Sequence, residues 1–189
     1  LVIDAAIVGR WVGVEALAAI GASSSITFLI MGFCNGSCAG FAIPVAQTFG
    51  AHDYSKMRAY VAHSLRIGAI IAVILTVFTA VFCARILRVV NTPDDIFHDA
   101  YIFLLLTFLT IPFTIAYNLL SGFIRALGNS RQPFYFLIVS SMVNIVLDVI
   151  LILGMGMGVE GAGIATMLSQ ALAAVLCWVY IHRTLKMLI

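Results

Sequence analysis

Charged residues divide the chain into long windows that are almost wholly apolar. None occurs between Glu15 and Asp53, and further windows run from Arg66 to Arg85, Asp99 to Arg125, Arg131 to Asp148 and Glu160 to Arg183. A helix rises about 1.5 Å per residue, so about 20 apolar residues cross the hydrocarbon core of a bilayer. The pattern therefore predicts about six membrane helices: from the start to about 12, then about 24–48, 64–85, 99–124, 133–154 and 161–182. Turn residues fall between the runs, at Gly50-Ala-His-Asp53, Asn91-Thr-Pro-Asp-Asp95, Gly128-Asn-Ser-Arg-Gln-Pro133 and the glycine-rich 154–163. No Pro/Ser-rich linker interrupts them, so 1–189 reads as one all-α transmembrane domain, a polytopic helix bundle.

Composition narrows the function classes. The 189 residues are 63% hydrophobic and only 10% charged, with a mean hydropathy of +1.14. A soluble domain carries about 25% charged residues, so the lipid bilayer is this chain's solvent. The net charge of +2 is small and scattered, which excludes nucleic acid as a partner. The chain opens at Leu1, inside an apolar run broken by Asp4, and reads as a piece of a longer chain with its first helix truncated. Lys56, Arg58, Arg66, Arg125, Arg131, Arg183 and Lys186 fall on one predicted face, against Arg10, Arg85 and Arg88 on the other. The positive-inside rule puts the first face, and the N-terminus with it, in the cytoplasm of a cell (plasma or inner) membrane. Cys34, Cys38, Cys83 and Cys177 lie in apolar runs and are expected to pack as small hydrophobes.

Packing signals are concentrated in the second run. Gly32, Gly36 and Gly40, with Ser37 and Ala39, are spaced to let another helix approach closely. Pro44 and Pro112 lie within apolar runs, where a missing N–H and a ring clash bend or break a helix. Such breaks are either structural kinks or hinges lining a cavity, and the sequence leaves both open.

Polar groups within membrane runs are the first place to look for function, because an ionisable group in hydrocarbon costs several kcal/mol. Asp148 is the leading case, with Asn144 one turn before it and Ser140 one turn further back on the same face. A carboxylate, an amide carbonyl and a hydroxyl are hard oxygen ligands, suited to a proton or a small cation. The alternative is polar adhesion between helices. Thr107, Thr110, Thr114, Tyr117, Asn118 and Ser121 form a second stripe, and Thr166, Ser169 and Gln170 a third. The 64–85 run has only Thr76 and Thr79 and is expected to face lipid, whereas the three stripes can converge inside one bundle. Asp4 adds a second carboxylate if it points inward.

Catalytic motifs are lacking. Gly156-Met-Gly-Val-Glu-Gly161 fits GxGxxG but follows a membrane-length run, so a turn and a helix start are expected there rather than a dinucleotide site. His52, His63, His98 and His182 sit at span ends without metal-ligand spacing. No nucleophile elbow is present, and the chain reads as a non-enzyme without an organic cofactor.

Five segments together resemble the multidrug and toxic compound extrusion (MATE) transporters: 8–21 (VGRWVGVEALAAIG), 47–53 (QTFGAHD), 125–133 (RALGNSRQP), 144–148 (NIVLD) and 158–170 (GVEGAGIATMLSQ). The resemblance covers nearly the whole chain. It implies one lobe of a two-lobe, twelve-helix antiporter that exports amphipathic, cationic compounds in exchange for Na+ or H+, with a C-terminal lobe beyond these residues as partner. It also implies an N-lobe site for the coupling ion at the matching positions Asp4, Asn118, Asn144, Asp148 and Thr166. Two neighbouring carboxylates would titrate as a coupled pair. Two rivals are a lipid-linked precursor flippase of the same superfamily, expected to have a basic cavity, and an aspartyl intramembrane protease using Asp4 and Asp148, for which the surrounding motif is missing.

Overall fold

The computed structural model describes residues 9–11, 14–185 and 188, except for the side chains of 14–16, 19 and 22. Among the described residues six long α-helices follow one another: α1 Val14–Gly50, α2 Tyr54–Val89, α3 Phe97–Leu109, α4 Ile111–Ala126, α5 Arg131–Asp148 and α6 Gly158–Thr184. A π-helical turn, Val149–Gly154, extends α5. Helices α3 and α4 together make one span, as do α5 and the π turn, giving five candidate spans among the described residues. The expected first span falls mainly outside the described residues, and 9–11 are helical.

The second and third runs begin earlier than their apolar cores. α2 starts at Tyr54 rather than near 64 because Asp53 caps it, accepting from the Lys56 backbone N–H at 3.1 Å. Its first turns bury Met57, Val61 and Ser64 at helical spacing while Lys56, Arg58 and Arg66 are exposed. At 36 residues α2 is about 54 Å long. That exceeds the roughly 30 Å hydrocarbon core, so its charged end extends past the apolar layer. The turn into α2 needs only 51–53. His52 adopts a left-handed φ of 58°, and Asp53 N–H returns to Thr48 O at 3.0 Å, closing the end of α1.

Helix α4 is the centre of the bundle, packed against α1, α2 and α6. Ile111, Leu119, Phe123 and Ile124 are fully or almost fully buried there, beside Phe108 and Leu104 of α3. The expected lipid-facing helix is α2, which exposes Ile70, Val73, Ile74, Val77, Phe78 and Val81.

The two prolines act differently. Pro112 breaks the rod, since it has no N–H to offer the Phe108 carbonyl; α3 ends at Leu109, and α4 restarts with Pro112 in its first turn. Helix α1 instead continues through Pro44, where Thr48 Oγ1 donates to Pro44 O at 2.7 Å.

The close approach expected on the α1 glycine face is not made by any of the described residues. Gly32, Gly36 and Gly40 are exposed, and a Cβ at any of them would meet nothing within 4 Å. The close approaches occur elsewhere. A Cβ at Gly68 would run into Leu119, and one at Gly163 would lie 2.6 Å from Leu106 Cδ1. Spacing identifies a smooth face but does not say what lies against it. The glycine-rich connector behaves as expected, with positive φ at Gly156 (66°), ahead of α6, and at Gly158 (57°), its first residue. All four cysteines are buried free thiols.

Candidate functional site

The polar stripes meet. A cavity of about 340 Å³ lies among α1, α3, α4, α5 and α6, lined by Thr107, Thr110, Thr114, Tyr117 and Asn118, by Ser140 and Asn144, and by Thr166, Ser169 and Gln170. Among the described residues, every one that lines it is uncharged. Thr110 sits at the α3–α4 break, so the Pro112 interruption contributes directly to the cavity wall.

Several hydroxyls are already occupied as donors. Thr107 Oγ1 donates to Phe103 O at 2.8 Å and Thr110 Oγ1 to Leu106 O at 2.9 Å. A hydroxyl has one proton and two lone pairs, so both remain able to accept or to ligate. Ser140 Oγ donates to the Ser169 carbonyl across α5 and α6, and Ser169 Oγ donates to Thr166 O at 2.9 Å. For Ser140 the adhesive role is therefore realised. Ser121, expected on the same stripe, is not among the lining residues and donates to Asn118 O at 3.2 Å. Asn144 Nδ2, Gln170 Oε1 and Thr27 Oγ1 are buried atoms without a hydrogen-bond partner among the described residues. Polar atoms in that condition favour a bound polar or ionic guest, because the desolvation cost is otherwise uncompensated.

Three of the five site residues expected from the resemblance, Asn118, Asn144 and Thr166, line this one cavity from α4, α5 and α6. Asp148 lies one turn beyond Asn144 and is fully buried, at the last residue of α5 where the π turn begins. Such π turns occur frequently at functional positions, and this one replaces a regular helix expected to run to 154. Asp4 lies outside the described residues.

The sequence reading overlooked the α1 wall, formed by Thr27, Met31 and Asn35. Asn118 Nδ2 donates to Asn35 Oδ1 at 2.7 Å, tying α4 to α1. The signal is present in the sequence: Ser23, Thr27, Met31 and Asn35 recur every four residues within an uncharged run that also carries the glycine spacing.

Residues 1–150 match the family described as MatE. The chain belongs to the MatE family. The probable multidrug resistance protein YoeA of Bacillus subtilis is 34% identical over 180 residues, covering 93% of this MatE chain and 39% of its own length. Multidrug export protein MepA of Staphylococcus aureus is 28% identical over 167 residues, covering 88% and 37% respectively. A solved structure described as MATE in the bent conformation superposes with a TM-score of 0.91 at 24% identity, over 98% of this chain and 41% of that one. The chain thus spans about two fifths of the length of these relatives. Its fold is that of one lobe of a MATE transporter, and it is an integral membrane protein.

Proposed function

We propose that this chain is most of the N-terminal lobe of a secondary antiporter that exports amphipathic cationic compounds in exchange for Na+ or H+. The observation that carries the reading is the gathering of Asn118, Asn144 and Thr166 from three helices around one neutral cavity, one turn from the buried Asp148. Asp148, with Asp4, supplies the negative charge, and the amides and hydroxyl supply neutral oxygens. A sodium ion stripped of water needs several such oxygens, whereas a proton needs the carboxylate alone. Exchange follows if ion and exported compound prefer different states of the lobe, because each ligand shifts the equilibrium only by its differential affinity. The interrupted α3–α4 rod is the element suited to that change, with Thr110 in the cavity wall at the interruption. The flippase reading fits less well, since it calls for basic residues where this cavity has neutral ones.

The test is Thr166→Val in the full-length transporter, which keeps the shape and removes one oxygen. With sodium coupling, sodium-driven efflux of ethidium should weaken more than proton-driven efflux; with proton coupling, both should be nearly unchanged. Equal loss of both would remove support for this site. Orientation is tested separately. The seven-to-three Lys/Arg bias puts the 127–130 turn in the cytoplasm, so Ser130→Cys should react with an impermeant thiol reagent only from that side.

A further inference from the structure

A second cavity opens along α1. It is an apolar groove of about 1020 Å³ that includes Leu17, Ile20, Phe28 and Gly32 of α1 with Phe103 of α3. Thr27, Met31, Asn35 and Phe103 line both this groove and the polar cavity, so these four residues form the partition between them. Met31 and Phe103 are apolar, and Thr27 Oγ1 is buried without a hydrogen-bond partner among the described residues. Asn35 differs from them in holding a candidate ion ligand, accepting from Asn118 Nδ2 at 2.7 Å.

We propose that Asn35 is the positioning residue through which an amphipathic cation in the α1 groove and the coupling ion in the polar cavity sense one another. The inference rests on the ion-site reading above and goes beyond it by naming the connection. A cation ligates an amide through its oxygen and never through its NH2 group. Holding Asn118 by its NH2 group fixes which end is spent on α1 and leaves Oδ1 as the ligating end. An organic cation in the groove, its apolar body against Leu17 and Ile20 and its charge near the Phe28 and Phe103 rings, competes for the same Asn35 oxygen. When that oxygen turns to the guest, Asn118 loses its orientation and the ion is held less tightly. Linkage makes the effect reciprocal, so a bound ion disfavours the guest by the same factor.

The experiment measures ethidium binding to the purified full-length transporter, with and without saturating Na+ and at high and low pH. The ratio of the two dissociation constants is the coupling factor, expected to be about fivefold or more in the native protein. Asn35→Leu keeps the volume and removes the acceptor, and should bring the ratio close to one while changing ethidium affinity in the absence of ion by no more than about threefold, the usual size of one hydrogen bond between membrane helices. Asn35→Asp keeps an acceptor for Asn118 and should restore the coupling. Asn35→Ala reads the same ratio should the leucine variant not insert. Native coupling in both Asn35→Leu and Asn35→Ala would overturn the proposal. Asn118→Ala separates the two readings: if it abolishes ion dependence while the Asn35 variants leave coupling intact, the ion site stands and the connection fails. If Asn118→Ala leaves sodium dependence untouched, Asn118 is not an ion ligand and the connection through Asn35 fails with it.

Discussion

Helix α2 and the α3–α4 rod are both membrane spans, yet their chemistry and positions are opposed. The most apolar window of α2 has a mean hydropathy of 2.7 and is 22% buried inside the lobe, whereas that of α3–α4 has 1.9 and is 56% buried. In water the more apolar helix would take the centre. Lipid is as apolar as leucine and removes that drive, so close packing and polar contacts decide which helix goes inside. In this lobe polarity within a span marks the interior, and the inward stripe of α3–α4 is the same stripe that lines the cavity.

The largest expected effects come from close packing around the central rod. Gly68→Leu and Gly163→Leu each drive a side chain into Leu119 or Leu106, and each should cost about 1–3 kcal/mol or more. Loss of folded transporter in detergent-solubilised melting checks this. A Cβ at Gly36 would meet nothing within 4 Å among the described residues, so Gly36→Leu should leave their packing unchanged; a comparable loss there would place a packed partner on the α1 glycine face beyond the described residues. A smaller contrast sets the two helices against each other directly. Thr114 of α4 lines the cavity, whereas Thr76 of α2 has a buried Oγ1 without a hydrogen-bond partner among the described residues. Thr114→Val should alter ion-dependent efflux severalfold, and Thr76→Val should leave efflux unchanged and stabilise the protein by up to about 1 kcal/mol. Reversal of that order would reverse the interior-versus-lipid assignment.

The smallest effect lies at the watery end of α2. The side-chain hydrogen bond from Lys56 holds the Asp53 carboxyl below its ordinary range. A lowered folded value contributes stability above the unfolded value of about 4, which is lost as pH falls through the folded value. Asp53→Asn should therefore melt slightly below the native protein at pH 7, and the difference should vanish in acid.

The spans and the convergence of three polar stripes were legible because period and polarity are local properties of the chain. Helix ends were not, since α2 begins with ten residues whose apolar positions are too sparse to resemble a span, yet Asp53 and the 51–53 turn start the helix there. The π turn after Asp148 has no mark in the sequence, because valine, isoleucine and leucine fit either helical form. Asn35 and Thr27 escaped because their role depends on α4 lying opposite, which is a tertiary fact. The glycine face was visible but its partner was not, for the same reason.

Asp148→Asn bears most directly on the central claim that the buried α5 acid and the adjoining neutral cavity hold the coupling ion. The substitution keeps shape and removes charge at a fully buried position. Sodium-driven and proton-driven ethidium efflux should be measured side by side in vesicles containing the full-length variant, with expression and ethidium binding as controls. The account predicts that binding persists while neither gradient drives efflux. Native rates with native ion dependence would contradict it and leave Asp148 a structural group.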